Sequence, residues 1–217
     1  LLAFGITAAL HERNQSGKGQ VIDAAMTDGS ALLMNAIFGL MNQGVWTTDR
    51  GSNLLDGGAH FYNTYETSDG KWVSVGSIEP QFYALLLEKS GLGEDETLPR
   101  QMSRADWPAL KDDLARIFKT KTRDEWDAIM LGTDICYAPV LSFDEARANS
   151  HNAARNTFAE QDGIHQAAPA PRFSRSTAEL PGSAAAPGAD SLQILRDAGF
   201  ADSEIDALKS SGAVAQA

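Results

Sequence analysis

The stretch VSVGSIEPQF, residues 73–82, places a glutamate directly before a proline at the end of an apolar run. A residue that precedes proline favours extended backbone, and proline suits the first turn of a helix. The stretch therefore predicts a strand that ends at Ile78 and a helix that begins at Pro80. Glu79 lies at the junction, where Ser, Thr, Asp or Asn would be the usual helix cap.

Two interpretations of Glu79 are open on these grounds. In the first, Glu79 is a solvated residue at a helix start, where the helix dipole favours an ionised carboxylate. In the second, the carboxylate acts in a functional site, as a base or as the partner of a proton donor. The local pattern favours the first interpretation without excluding the second.

A predicted hairpin and a glycine-containing loop precede this junction. FYNTYET and KWVSVGS flank SDG, and Asp69-Gly70 is a strong signal for a tight turn between two strands. Before the hairpin, DGGAHFY combines two glycines, which permit close approach of a ligand, with polar groups on Asp56, His60 and Tyr62. Spacing leaves a ligand-binding loop and a tight connection equally open.

Helices and one further strand are predicted later in the chain. Asp106 is a candidate cap for a helix over DWPALKDDLARIFKT, and capping boxes at Thr122 and Ser142 predict two more helix starts. Between these boxes ICYAPVL predicts a buried strand in which Cys136 is an inert thiol. Residues 58–165 therefore predict a compact α+β domain.

The flanking segments predict apolar helices. Residues 1–13 predict a helix that ends at Gly17 or Gly19, and QVIDAAM predicts a short strand-like run. Residues 27–44 predict a second helix that is apolar on most faces. This helix is rich in methionine, which is more typical of core than of a ligand surface. Residues 166–190 predict an extended linker, followed by two short helices. The first helix begins without methionine or a capping residue, so we expect a longer protein of which this is the C-terminal part.

Composition narrows the classes of partner. The chain of 217 residues has 43% hydrophobic residues, a formal charge of −11 and a pI near 4.7, which is typical of a soluble protein and unfavourable for binding nucleic acid or anionic membrane. The single cysteine cannot form an intrachain disulfide and predicts a reducing, cytoplasmic location. No apolar run reaches the length of a membrane span. The four histidines lack metal-ligand spacing, so no metal site is expected.

Several blocks of the sequence resemble one known family. GKGQVIDAAMTDG, RGSNLLDGGAHFYNTYETSDGKWVSVGSIEPQFY, CYAPVLSFDEA and APAPRFSR are similar to the α-methylacyl-CoA racemase branch of the CaiB/BaiF family, the family III CoA-transferases. The resemblance extends over nearly the whole chain, and the block from Arg50 to Tyr83 is highly specific.

The resemblance implies an α/β fold in which a large Rossmann-like domain is followed by a small α+β domain, after which the chain returns to the large domain. Residues 1–57 would then be the end of the large domain and a linker, residues 58–165 the small domain, and residues 166–217 the return linker and C-terminal helices. The resemblance also implies an interlocked homodimer whose subunits share active sites.

The same resemblance implies that the α-proton of a 2-methylacyl-CoA thioester is removed to give an enolate, which is reprotonated on the opposite face. Coenzyme A is part of the substrate, and no other cofactor is implied. The family's catalytic His and Asp have no match here and would lie upstream of Leu1.

The family's site residues carry over at six positions. Glu79 matches the glutamate of IEPQF, which reaches the catalytic His of the other subunit. The expected substrate-binding residues are Met26, Asp28, Gly57, Gly58 and Tyr62. His60 departs from the pattern, since proline usually follows GGA, and we expect it to replace a turn residue without a role in the pocket.

Two alternatives to a racemase stay open. One is a CoA-transferase of the same family, in which the upstream Asp would form a covalent intermediate. Such transferases tend to carry a longer run of glycines where this chain has DGGAHFY, which favours the racemase. The other is an incomplete subunit or an assembly module without catalysis, as the missing His and Asp indicate.

Overall fold

The computed structural model describes residues 1–92, 100–182 and 184–217. It comprises two compact units, Leu1–Val140 and Leu141–Ala217, built from helices and small antiparallel sheets. The domain limits at 57/58 and 165/166, which come from the family resemblance, stay predictions. In the described part of the chain, none of the helices combines the length and the apolar character needed to cross a membrane.

A three-stranded antiparallel sheet lies at the centre of the first unit. Its strands, in spatial order, are β1 (Tyr62–Glu66), β2 (Trp72–Gly76) and β3 (Tyr137–Val140). The predicted hairpin between β1 and β2 is confirmed, and Gly70 adopts a φ of 74° in its turn. The N–H of Thr67 closes this turn on the carbonyl of Lys71 at 2.8 Å.

β2 ends at Gly76, so the prediction that the strand continues to Ile78 is wrong by two residues. The N–H of Ile78 donates to the carbonyl of Gly76 at 2.9 Å, which turns the backbone away from the strand ladder. The predicted helix then begins at Pro80, with Glu79 in extended geometry (φ −71°, ψ 139°) as its N-cap. The proline therefore fixes the helix start, as the sequence indicates.

Three helices complete this unit: α4 (Pro80–Ser90), α5 (Trp107–Phe118) and α6 (Arg123–Met130). α5 contacts β1, α6 contacts β3, and α4 packs on α5. The core that they share with the sheet contains several aromatic pairs. Tyr65 stacks on Phe118 with ring centroids 5.1 Å apart, and Trp126 meets Phe118 edge-on at 5.1 Å. Each such side chain contributes about 1.5–3 kcal/mol by leaving water.

Two of the three predicted helix caps are confirmed. The box at Thr122 is confirmed, because its backbone N–H donates to the Glu125 carboxylate at 2.8 Å and its hydroxyl accepts from the Glu125 N–H at 3.3 Å; the box at Ser142 has the same form. Asp106 precedes α5 but does not cap it. Its carboxylate instead accepts from Arg100 at 2.8 Å, and this bond and one from Ser103 lower its pKa to about 2.

The N-terminal helices are α1 (Leu2–Ser16), α2 (Met26–Leu33) and α3 (Asn35–Asn42). α1 ends at Gly17, which has a φ of 74°. The predicted strand-like run before Met26 is not a strand, and the predicted helix over residues 27–44 is divided at Met34. None of these helices has a buried residue, and Met26 is 89% exposed. The burial expected for this methionine-rich segment, against the large domain of the family, stays a prediction.

The second unit contains a hairpin that the sequence patterns above did not predict. Its strands are β4 (Phe158–Gln161) and β5 (Ile164–Ala167), joined by Asp162 and Gly163 with φ values of 53° and 76°. Asp-Gly was the available signal for this turn. The unit's helices are α7 (Phe143–Ala148), α8 (Ser150–Ala154), α9 (Ser191–Asp197) and α10 (Asp202–Ser210), and the last two confirm the predicted C-terminal pair.

His60 is fully buried in the core of the first unit. Its Nε2 lies 2.7 Å from the hydroxyl of Tyr83, and its carbonyl accepts from the hydroxyl of Tyr65 at 2.6 Å. None of the described residues pairs with its Nδ1. Burial, and then the positive charges of Lys111 and Arg100, lower the pKa of His60 to about 4.

The depressed pKa of His60 predicts a pH-dependent stability. The unfolded chain takes up this proton near pH 6.5 and the folded chain near pH 4, so the free energy of unfolding should fall as pH is lowered through that interval. The expected loss is on the order of 3 kcal/mol. Urea unfolding of His60→Gln across this range should show a flatter dependence, whereas His151→Gln, at an exposed histidine, should keep it. An unchanged slope in His60→Gln would contradict the assignment.

Candidate functional site

The face of the sheet that points away from the core borders an open cavity of about 400 Å³. Tyr62, Thr64, Ser74 and Gly76 alternate along the strands with buried residues, which places them on this outer face. The cavity is lined by Leu55, Gly57, Tyr62, Asn63, Thr64, Ser74, Val75, Gly76 and Cys136. It therefore brings together two of the predicted substrate-binding residues, Gly57 and Tyr62.

The loop before β1 is held in place by Asp56. Its carboxylate accepts from the Asn53 side chain at 2.7 Å and from the backbone N–H groups of Asn53, Gly51 and Gly58 at 2.8–3.3 Å. Burial raises the pKa of Asp56, but these four hydrogen bonds together outweigh it and hold the pKa below its usual value. Asp56 thus serves the loop's own conformation, and His60 points into the core, so of the three polar groups noted in this loop only Tyr62 faces the cavity.

The two glycines of this loop have different surroundings. Gly57 has a φ of 89°, lines the cavity, and its carbonyl accepts from Asn63 Nδ2 at 3.1 Å and from Lys111 Nζ. Gly58 is buried and is not among the residues that line the cavity. A Cβ at Gly58 would lie 2.5 Å from backbone atoms of Ser52 and Asn53, so the close approach of two backbone segments requires glycine.

Glu79 is exposed, and its side chain does not cap α4. Its backbone carbonyl accepts from the N–H groups of Phe82 and Tyr83, both at 3.0 Å, which starts the helix. Across the described ranges of the chain, no side chain forms an ion pair or a hydrogen bond with its carboxylate. The carboxylate is therefore available to a group outside these residues.

Cys136 is exposed, so the prediction of a buried thiol inside a strand is wrong. The residue has a φ of 61°, a conformation that non-glycine residues seldom adopt, and β3 begins only after it. Two bonds hold this turn: the Gly76 N–H donates to the Cys136 carbonyl at 2.9 Å, and Ser77 Oγ donates to the Ile135 carbonyl at 2.5 Å. The positive φ interrupts the extended run and turns Cys136 towards the cavity that it lines.

The electrostatic environment of Cys136 is negative. Partial desolvation by the surrounding protein, followed by the charges of Glu79 and Asp134, raises the pKa of its thiol above the usual cysteine value. The bonds from the Gly76 N–H and from Ser77 Oγ to the carbonyls of Cys136 and Ile135 bring the segment that leads to Glu79 beside Cys136. Glu79 and the cavity therefore belong to one region of the molecule.

Met26 and Asp28 lie at a second cavity, of about 480 Å³, in the same unit. Its walls come from α1, α2 and the segment between them, and most of its lining is apolar, with Leu1, Ile22 and Leu33 among the lining residues. The two sets of predicted substrate-binding residues thus line different cavities. In the described part of the chain, no group of three or more His, Cys, Asp or Glu side chains is placed to hold a metal ion.

The comparisons with known proteins agree with this architecture. The sequence model described as CoA-transferase family III matches residues 1–191. The chain is 46% identical over 208 residues to an alpha-methylacyl-CoA racemase of Mus musculus, covering 94% of this chain and 54% of the relative, and 44% identical over 215 residues to that of Homo sapiens, covering 97% and 55%. It spans about half the length of these curated relatives.

More distant matches include a succinyl-CoA--D-citramalate CoA-transferase of Chloroflexus aurantiacus, 28% identical over 167 residues, with 75% of this chain and 40% of the relative covered. Among solved structures, a CAIB/BAIF family protein from Brucella suis superposes with a TM-score of 0.69 and 21% identity over 89% of this chain and 52% of its own. This likeness shows that the fold is that of the family, as the sequence resemblance implies.

The close approach at Gly58 yields a prediction for stability. Gly58→Ala should lower the free energy of unfolding by about 2–3 kcal/mol, because the added methyl group meets backbone atoms, which can give way only if one of the two segments shifts. Gly19→Ala is the matched control, since a Cβ there has no neighbour within 4 Å. Chemical unfolding of both variants measures the difference, and equal stabilities would contradict the close approach of the two segments.

The proximity of Glu79 and Cys136 can be tested by thiol chemistry. Glu79→Gln removes a negative charge, so the pH midpoint of Cys136 alkylation by iodoacetamide should move down and the rate at neutral pH should rise. Peptide mass spectrometry follows the modified residue. Glu88→Gln, which removes an exposed charge farther along α4, should leave the midpoint unchanged. Identical midpoints for Glu79→Gln and the wild type would show that the two groups do not interact.

Proposed function

Because this chain belongs to CoA-transferase family III, we propose that it is part of an α-methylacyl-CoA racemase that acts on 2-methylacyl-CoA thioesters. The identity of 44–46% to two racemases, against 28% to the citramalate CoA-transferase, carries the proposal. The chain covers 54–55% of those racemases, so the activity is proposed for a whole protein that contains these residues.

The proposed reaction removes the α-proton next to the thioester carbonyl and returns a proton to the opposite face of the enolate. The groups that exchange the proton would be the family's His and Asp, which have no match in this chain. Glu79 would accept a hydrogen bond from the catalytic His of a second subunit and hold its ring in position. An exposed carboxylate with no partner among the described residues supports that role.

The negative charge around Glu79 indicates which end of the substrate would bind there. Glu79 and Asp134 make the region around Cys136 negative, which is unfavourable for the phosphates of coenzyme A. The thioester and the α-carbon would therefore face the cavity lined by Gly57 and Tyr62. The apolar cavity at Met26 is suited to an acyl chain, since methionine adapts to irregular apolar ligands.

The proposal includes an interlocked homodimer, a cytoplasmic location and a role in fatty acid metabolism, all of which come from the family resemblance and the single cysteine. It requires no cofactor apart from the coenzyme A of the substrate. The charge of −11 supports a small-molecule substrate over nucleic acid or anionic membrane as the partner.

The test measures exchange of the α-proton of a 2-methylacyl-CoA with solvent deuterium. The intact protein is used as the enzyme, and mass spectrometry follows the deuterium in the acyl-CoA. We expect exchange in the wild type and a reduction of about a hundredfold in Glu79→Gln, because removing a group that orients an acid–base residue forfeits much of its contribution. The dimer should persist in size-exclusion chromatography, and Glu88→Gln should keep the wild-type rate.

Two results would overturn the proposal. Transfer of coenzyme A between two carboxylic acids without α-proton exchange would instead identify a CoA-transferase. Absence of both reactions in the intact protein would identify an assembly module. Unchanged exchange in Glu79→Gln would leave the racemase in place but remove Glu79 from its catalytic site.

A further inference from the structure

We propose that Gln101 is a positioning residue that fixes the backbone from which Glu79 projects. The catalytic consequence of this inference rests on the proposed function, whereas its structural part does not. Gln101 follows α4 in the chain and precedes α5, and neither the sequence patterns nor the family resemblance assigned it a role.

The amide of Gln101 binds the two peptide groups immediately before Glu79. Its Nε2 donates to the carbonyl of Ser77 at 3.2 Å and to the carbonyl of Ile78 at 2.9 Å. Gln101 is only 7% exposed. Because β2 ends at Gly76, strand pairing cannot satisfy these carbonyls, and the buried amide takes its place.

Gln101 is itself fixed by the core. The indole Nε1 of Trp107 donates to its backbone carbonyl at 2.7 Å. Trp107 is 5% exposed and meets Phe61 edge-on, with ring centroids 6.2 Å apart. Gln101 is therefore attached, through its backbone carbonyl, to the first turn of α5 and to the aromatic core.

Residues 77–78 are also held by hydrogen bonds from two other parts of the first unit. The Ser77 N–H donates to the carbonyl of Phe61 at 2.9 Å, and Ser77 Oγ donates to the carbonyl of Ile135. These bonds connect the segment to the loop before β1 and to the turn before β3. Gln101 supplies the third direction, from the segment before α5, and its amide binds the carbonyl of Ile78, the residue next to Glu79.

The fold thus fixes the backbone before Glu79 and leaves its carboxylate without a partner among residues 1–92, 100–182 and 184–217. The start of α4 uses Pro80 and the backbone carbonyl of Glu79, and it does not use the carboxylate. A functional carboxylate needs its position set before its partner arrives. Gln101 meets this requirement at Glu79.

The experiment is a double-mutant cycle in the intact protein with the variants Gln101→Met, Glu79→Gln and both together. Gln101→Met keeps the length of the side chain and removes both donated bonds. We expect it to lower kcat about tenfold with little change in KM, because misplacement of a catalytic group costs rate while the substrate contacts at the cavity stay. In the Glu79→Gln background the same change should have less than about a twofold effect.

A second readout of the cycle does not depend on activity. The pH midpoint of Cys136 alkylation should move in Gln101→Met towards that of Glu79→Gln, and it should not move further in the double variant. Thr67→Val is the matched control, because it removes the bonds that a buried hydroxyl makes to Asp69 (2.6 Å) and to the Lys71 carbonyl (3.0 Å), at the turn end of the β1–β2 hairpin. It should leave both kcat and the midpoint near the wild-type values.

The outcomes separate this inference from the proposed function. Equal effects of Gln101→Met in both backgrounds, on either readout, would reduce Gln101 to a structural residue and overturn the inference. A shifted Cys136 midpoint in a protein without racemase activity would support the positioning role and overturn the proposed function. Should Gln101→Met not fold, Gln101→Asn keeps the amide but withdraws it by one methylene, and a smaller loss of the same kind is expected.

Discussion

The backbone polar groups of residues 76–78 lie where strand pairing has ended, and they must find partners inside the protein. The partners come from four places: the loop before β1, the turn before β3, the segment before α5, and the segment's own carbonyl at Gly76. Three of these partners belong to different parts of the first unit. The hydrogen bonds that satisfy residues 76–78 therefore also fix the positions of those parts relative to one another.

The conformation of Cys136 follows from that constraint. Its carbonyl accepts from Gly76, and the carbonyl before it accepts from Ser77, so the backbone has to turn through a positive φ before it can enter β3. Holding a cysteine in this region costs on the order of 1–3 kcal/mol, which the two hydrogen bonds and the buried Ile135 offset.

The sequence could predict the elements whose signals are local. Asp69-Gly70, Pro80 and the two capping boxes each act within a few residues, and the structure confirms them. The Asp162-Gly163 turn carries the same kind of local signal. The exposure of Cys136 had no local signal, because an apolar run does not reveal that one residue in it must take a positive φ to meet partners from another strand.

The arrangement of the site also depends on long-range contacts, which local sequence signals do not predict. Gln101 and Trp107 act on a junction that precedes them by the whole of α4, so no periodicity relates them to Glu79. The family resemblance singled out Glu79 and five substrate-binding residues but not their arrangement. The structure places Gly57 and Tyr62 at one cavity, Met26 and Asp28 at another, and Gly58 at neither.

Separating the positioning of Glu79 from its charge has a physical advantage. A carboxylate that helped to hold the junction together would be engaged by internal donors, and each of them would compete with an outside partner for its oxygens. Here the donors are an amide, a hydroxyl and backbone N–H groups, and none of them binds the Glu79 carboxylate. The carboxylate stays in water, so it carries no desolvation cost while it is unoccupied. The stability of the junction and the availability of the charge can therefore be set by different residues, and this allows a rigid backbone to present an unpaired carboxylate.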